Sequence, residues 1–380
     1  MNIIAVDWAK GAAKRSAYQA RLDTRNISRL AFDGSLAQLV NHASSLKTPA
    51  LIGIDAAIGF PMSSWKRLTK DSDIQPGHFI DRLLNGTLPG RFFDPVTQPE
   101  AWSPERPFIR PPAGKWSLKA FVEASDGGLY RKIDSTLNGN SIFVTSGIPG
   151  SVGSGTRALW QELVALGRRT LFRVWPFHGP LDALLKVGKP VIAEIYPKAC
   201  YGIALAESLP APLLTIAKTR ESARQDTLAR LRDSHWVERE RIVIEDLEPA
   251  IASEDDFDAL VSAAALMRLF LENAPLENPE AIEAKIEGGV LGAASLTTST
   301  RRVPRTRPAK PVNQKTGSTG AVRTYPCPIP GCTYMFHNSR GGWDAHVASF
   351  PRHPQWHPSV RDPARRKQLF KQEFPAWFKG

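Results

Sequence analysis

Short apolar runs dominate the first two hundred residues, and several stop on an acid. Ile3-Ile4-Ala5-Val6 ends at Asp7, and Leu51-Ile52-Gly53-Ile54 ends at Asp55. Continuous runs of this length, rich in β-branched residues, predict strands buried on both faces. Asn2–Asp7, Ser16–Leu22 and Ile27–Phe32 read as a three-strand meander. Ser35 then caps a helix whose apolar residues Leu36, Leu39, Val40, Ala43 and Leu46 keep helical spacing. Pro49 separates that helix from the strand at 51–55.

From 56 to 150 the periodicity fades. Pro61, Pro76, Pro89, Pro95 and further prolines through Pro112 forbid long helices, which predicts a loop-rich insertion over about 62–150. Beyond it, Gly155–Leu166, Ala217–Arg232 and Phe257–Leu271 read as helices, and Leu171–Trp175 and Val191–Tyr196 as strands. The order of elements predicts an α/β domain over 1–298, with a mixed sheet flanked by helices. Residues 299–324 read as a basic disordered linker, since Thr, Ser, Pro, Arg and Lys dominate and no acid occurs. A small separate module of 325–380 completes the chain.

Charge sharpens this division. Residues 301–380 hold 15 Lys and Arg against 3 Asp and Glu, which is the entire net +12 of the 380-residue chain. A neutral body with a basic tail points to nucleic acid as the partner, met through the linker and the C-terminal module. No apolar stretch approaches the ~20 residues of a membrane span, and the N-terminus reads as a strand and not a signal peptide. Three cysteines make no disulfide framework, so a cytoplasmic location is expected.

The candidate chemistry lies in the acids. Asp7 and Asp55 end buried strands, at the sheet rim where α/β folds bind ligands. Asp255-Asp256-Phe257-Asp258-Ala259-Leu260 opens an apolar helix with acids in its first turn. Two carboxylates 4 Å apart repel by roughly 4 kcal/mol at an effective dielectric of 20. Clustered acids therefore need a cation, a shared proton or a basic partner. Hydrolysis of a phosphodiester by Mg²⁺ or Mn²⁺ uses such a set. Asp255 lies three residues before Asp258, on the same helical face, so either can be the ligand. Glu194, in the apolar run Val191–Tyr196, needs a compensating charge or metal; a salt bridge to an Arg or Lys such as Lys198 is the alternative. Structural readings exist for the others: turn hydrogen bonds for Asp7 and Asp55, the helix dipole for Glu254, Asp255 and Asp256.

Residues 1–295 resemble a family of predicted RNase H-like nucleases, long labelled a domain of unknown function. The resemblance is carried by Ala5-Val6-Asp7, by Ile52 through Pro61 (Ile-Gly-Ile-Asp-Ala-Ala-Ile-Gly-Phe-Pro), by Ala193-Glu194-Ile195-Tyr196-Pro197, by Asp255 through Leu260, and by Glu287-Gly288-Gly289. The Asp-x-x-Asp-Ala-Leu stretch is also similar to the acidic helix of Holliday-junction resolvases. The resemblance implies an RNase H-like sheet and Asp7, Asp55, Glu194 and Asp258 as metal-binding acids. It implies a nuclease of DNA or RNA; a non-catalytic nucleic-acid-binding protein on the same scaffold is the alternative. A sugar-kinase-like phosphotransferase ranks last, because Asp7-Trp8-Ala9-Lys10 replaces the expected Asp-x-Gly turn. The 62–190 stretch is longer and richer in proline than the compact family pattern, which leaves substrate choice open.

Other signals are weaker. Gly150–Thr156 lacks the Gly-Lys-Ser/Thr ending of a phosphate loop. Lys218, Arg220 and Arg224 meet substrate phosphates or form a solvated helix face. His178, His235 and Cys200 read as ordinary packed or surface residues. In the tail, Cys327 and Cys332 followed by His346, His353 and His357 resemble a two-Cys/two-His zinc finger with structural zinc. The spacing leaves the fourth ligand open between His353 and His357, with His337 outside. A module this small needs metal to fold.

Overall fold

The computed structural model describes residues 1–70, 78–112, 116–147, 151–167, 171–277, 284–297, 324–333, 335–337, 346–347 and 353–378. The chain divides into two compact units, Met1–Arg301 and Arg302–Gly380. Most of the expected linker, 299–323, lies outside the described residues.

The first unit is α/β. Its sheet has seven strands: β1 (Asn2–Asp7), β2 (Ser16–Arg21), β3 (Asn26–Arg29), β4 (Ala50–Ile54), β5 (Arg173–Val174), β6 (Val191–Glu194) and β7 (Val243–Ile244). They lie in the order β5-β6-β4-β1-β2-β3-β7. The meander β1-β2-β3 is antiparallel, and β1, β4, β6 and β5 run parallel. Edge strand β7, parallel to β3, is too short to have a sequence signature.

Alternation along the central strands explains how both faces are covered. Ile4, Val6, Ile52 and Ile54 point into a core shared with helices Leu36–Ser45 and Gly153–Gly167. Ile3, Ala5, Leu51 and Ala193 point into the other, against helices Pro197–Leu205 and Glu254–Leu271. Ser35 caps the first helix as expected, its side chain accepting from Gln38 N at 3.2 Å. Helix Glu254–Leu271 starts three residues before its expected apolar onset, because the Ser253 side chain accepts from Asp256 N and opens the first turn on acids. It is buried nearly all round. It lies so close to β4 that a Cβ on Gly53 would come within 2.9 Å of Leu266.

Among the described residues of the insertion the α-helices are short: Met62–Thr69, His78–Leu84, Leu118–Ser125 and Lys132–Thr136. Aromatic packing replaces periodicity there. Phe60, Phe79, Phe92, Phe108, Phe143 and Trp160 interlock, with ring centroids 5.1–6.3 Å apart.

The second unit pairs β8 (Thr324–Pro326) antiparallel with β9 (Met335–His337) and carries helix Pro363–Glu373, capped by Asp362. Cys327, Ile329, Val347, Phe370 and Trp377 form its small core.

Candidate functional site

β1 and β4 are parallel neighbours with Val6 opposite Ile54, and Asp55 N donates to Val6 O at 2.9 Å. Asp7 and Asp55 therefore leave adjacent strands at the same end of the sheet. Asp258, in helix Glu254–Leu271, is 1% exposed. Tyr201 Oη donates to its Oδ1 and Lys218 Nζ to its Oδ2.

Electrostatics ties the three acids together. Burial, then Asp55 and Asp258, hold the Asp7 carboxyl well above the usual carboxylate range. Burial, then Asp258, push Asp55 up to about 8. Burial works against the Lys218 ammonium, yet Asp258, Asp7 and Asp55 together hold it protonated and raise its pKa. Asp255 is half-buried, and its charge is felt by both Asp7 and Asp258. The neighbouring Asp256 belongs elsewhere: it pairs with Arg29 at 2.7 Å.

Glu194 follows the salt-bridge alternative, with Arg131 in place of Lys198. Arg131 Nη1 and Nη2 grip its two oxygens at 2.7 Å each, and Ile58 N donates to Oε2 at 2.7 Å. The same guanidinium holds Asp134 at 2.7 Å. This triad is buried beside β4, so both Glu194 oxygens already have strong donors. The signal missed in the sequence was Arg131, distant from Glu194 along the chain and set in a featureless stretch.

Glu287 is a clamp and not part of the acid group. Its oxygens accept from Met62 N at 2.6 Å and Lys132 N at 2.7 Å, at the starts of two helices. The adjoining backbones touch: a Cβ on Gly59 would lie 1.9 Å from Glu287 O, and one on Gly288 would lie 2.0 Å from Ile58 O. Both glycines have positive φ. The Gly59-Phe60-Pro61 and Glu287-Gly288 stretches thus hold each other and fix the loop that follows Asp55.

Tyr201 was also missed. Pro197 at the first position of helix Pro197–Leu205 is the cue that could have revealed its element. Arg224 is structural: buried, it donates to Ile251 O, Ala252 O and Lys218 O. Cys200 is a core residue whose thiol burial pushes up to about 12. His178 Nδ1 accepts from Val174 N at 2.9 Å. Helix Gly153–Gly167 begins inside the Gly-rich stretch, of which Gly150 lies outside the described residues.

Among the described residues, Asp7 and Asp55 receive no hydrogen bond from a protein donor, so their lone pairs are free for a hard cation. Carboxylate oxygens are the donor type that Mg²⁺ and Mn²⁺ take, although among the described residues the group whose ligand atoms lie within 4.8 Å of one another is Cys327, Cys332, His346 and His353 and does not include these acids.

A second constellation lies in the C-terminal unit. One ligand atom each from Cys327, Cys332, His346 and His353 falls within 4.8 Å of the others. Cys332 Sγ is 3.5 Å from His346 Nε2, and the two histidine Nε2 atoms are 3.0 Å apart. Two sulfurs and two imidazoles at this spacing could hold a structural zinc. His357 is not among them, because its Nε2 is bonded to Glu373. The His337 side chain lies outside the described residues. Among the described residues no helix is long and apolar enough to cross a membrane. No family model, curated protein or solved structure matches the chain.

Proposed function

We propose that the first unit is an RNase H-like, metal-dependent nuclease acting on DNA or RNA, and that the basic C-terminal unit contacts the nucleic acid. The observation that carries this reading is the placement of Asp7 and Asp55 at one end of β1 and β4, where burial first, and neighbouring acids that include Asp258 next, raise the proton affinity of both. Supporting it is the sheet itself: an antiparallel meander whose first strand is flanked by parallel β4, as the resemblance to RNase H-like nucleases implies.

Asp7, Asp55 and Asp258 would hold Mg²⁺ or Mn²⁺, with Asp255 at the rim. The bound ion supplies charge stabilisation at the phosphate and lowers the pKa of the attacking water. Tyr201 and Lys218 fix the Asp258 carboxylate. Arg131 and Glu194 hold the loop after Asp55 from below, through Ile58. On the other unit, Arg361, Arg365 and Lys371 occupy exposed positions on and beside helix Pro363–Glu373, where phosphates could be met.

The test is incubation of the purified chain with labelled single- and double-stranded DNA and RNA, with and without Mn²⁺, beside Asp55→Asn. Cleavage that needs Mn²⁺ and disappears in the variant supports the reading. Salt-dependent binding without turnover favours a non-catalytic nucleic-acid-binding protein. Cleavage that Asp55→Asn leaves intact removes the acid site from the mechanism.

A further inference from the structure

We infer that Lys218 supplies the second positive charge of the acid site, so that its three carboxylates take one divalent ion instead of two. This rests on the proposed metal site and deepens it.

The helix expected over Ala217–Arg232 starts only at Glu221, which leaves Lys218 in the preceding turn. Arg224 fixes that turn by donating to Lys218 O while binding Ile251 O at 2.7 Å and Ala252 O at 3.0 Å. The Lys218 side chain is thereby aimed at Asp258 Oδ2, with Tyr201 on Oδ1. Asp258 thus has one protein donor on each oxygen, whereas Asp7 and Asp55 have none among the described residues.

A carboxylate oxygen offers two lone pairs, so each Asp258 oxygen keeps one for a metal. Bridging two ions ~3.5–4 Å apart would use both of those and press a second divalent charge against the ammonium. The charge balance points the same way. Once a bound ion displaces the protons that burial favours on Asp7 and Asp55, three ionised carboxylates carry three negative charges, Lys218 cancels one, and a single divalent ion cancels the remaining two. Asp255 is half-buried and faces Lys14 as well as Lys218, so its own charge has a second basic neighbour.

The experiment is a Mn²⁺ titration of the zinc-loaded full chain followed by electron paramagnetic resonance. Wild type is expected to bind one ion at the acid site, seen as an uncoupled six-line signal. Lys218→Met is expected to bind two, seen as a spin-coupled pair, and Lys218→Arg to return to one. A coupled pair in wild type, or a single uncoupled ion in a folded Lys218→Met, overturns the inference. The wild-type spectrum decides the matter alone if the Met variant does not fold. Asp55→Asn separates the two levels. If Mn²⁺ binding persists in that variant, the metal site itself is wrong. If binding disappears there while Lys218→Met stays at one ion, only the role of Lys218 is wrong.

Discussion

Replacing Asp55 by Asn should stabilise the first unit at neutral and alkaline pH. An aspartate in the unfolded chain titrates near ~3.9, whereas burial and Asp258 push folded Asp55 up to about 8. Between those values the folded state keeps a proton that the unfolded state has released. Stability therefore falls as pH climbs from ~4 to ~8, and is fully present only below the unfolded value. Taken in full, the shift corresponds to about 6 kcal/mol. Asp55 retains partial solvent contact, and screening there reduces the penalty to about 2 kcal/mol. Asn keeps the shape and never ionises, so Asp55→Asn should exceed wild type by about 2 kcal/mol at pH 8.5 and by much less at pH 5.5. Urea unfolding, followed by hydrogen-exchange mass spectrometry on peptides from β1 and β4, isolates this unit from the C-terminal one. Added Mg²⁺ should reverse the ranking, because ligand at 100 times its Kd stabilises wild type by about 2.7 kcal/mol and leaves the variant unmoved. A variant less stable than wild type at pH 8.5 without Mg²⁺, or a difference that does not vary with pH, would refute the argument.

Removing Arg131 strands Glu194 and Asp134 as unpaired buried charges, so Arg131→Met should lower urea stability by about 3–5 kcal/mol, and Glu194→Gln in the same chain should recover part of it. His353→Ala should release zinc, while His357→Ala should keep one zinc per chain by native mass spectrometry; the opposite pattern would reassign the fourth ligand. Gly288→Ala places a Cβ 2.0 Å from Ile58 O at a φ of +84°, and should lower the unfolding free energy by at least about 1 kcal/mol; an unchanged Tm would show that the two backbones part easily.

Much of the fold was legible because its central strands are buried on both faces, and short apolar runs rich in β-branched residues mark such strands. The positions of Asp7 and Asp55 were legible for the same reason: each ends such a run. The helix carrying Asp258 was visible from its acidic start and apolar body. What could not be read was pairing across long separations. Glu194 and Asp258 both sit in apolar contexts, yet one is held by Arg131 and the other by Lys218 and Tyr201. Nothing local distinguishes these environments. Sequence spacing puts Lys218 on the face of a helix from Ala217, whereas the helix starts only at Glu221, and that shift hides its approach to the acids. The aromatic core of the insertion was hidden because ring-to-ring packing has no sequence period. In the tail, the Cys and His spacing gave the cluster, while the choice between His353 and His357 depended on Glu373, which holds His357 away.

The central claim is that Asp7, Asp55 and Asp258 share a divalent cation. Its most direct measurement is anomalous scattering at the manganese edge from crystals soaked in Mn²⁺. A peak in contact with oxygens of all three carboxylates, lost in Asp55→Asn crystals, is the predicted result. Manganese bound only elsewhere at saturating Mn²⁺, with Asp258 left to Lys218 and Tyr201 and no ion on Asp7 or Asp55, would contradict this assignment.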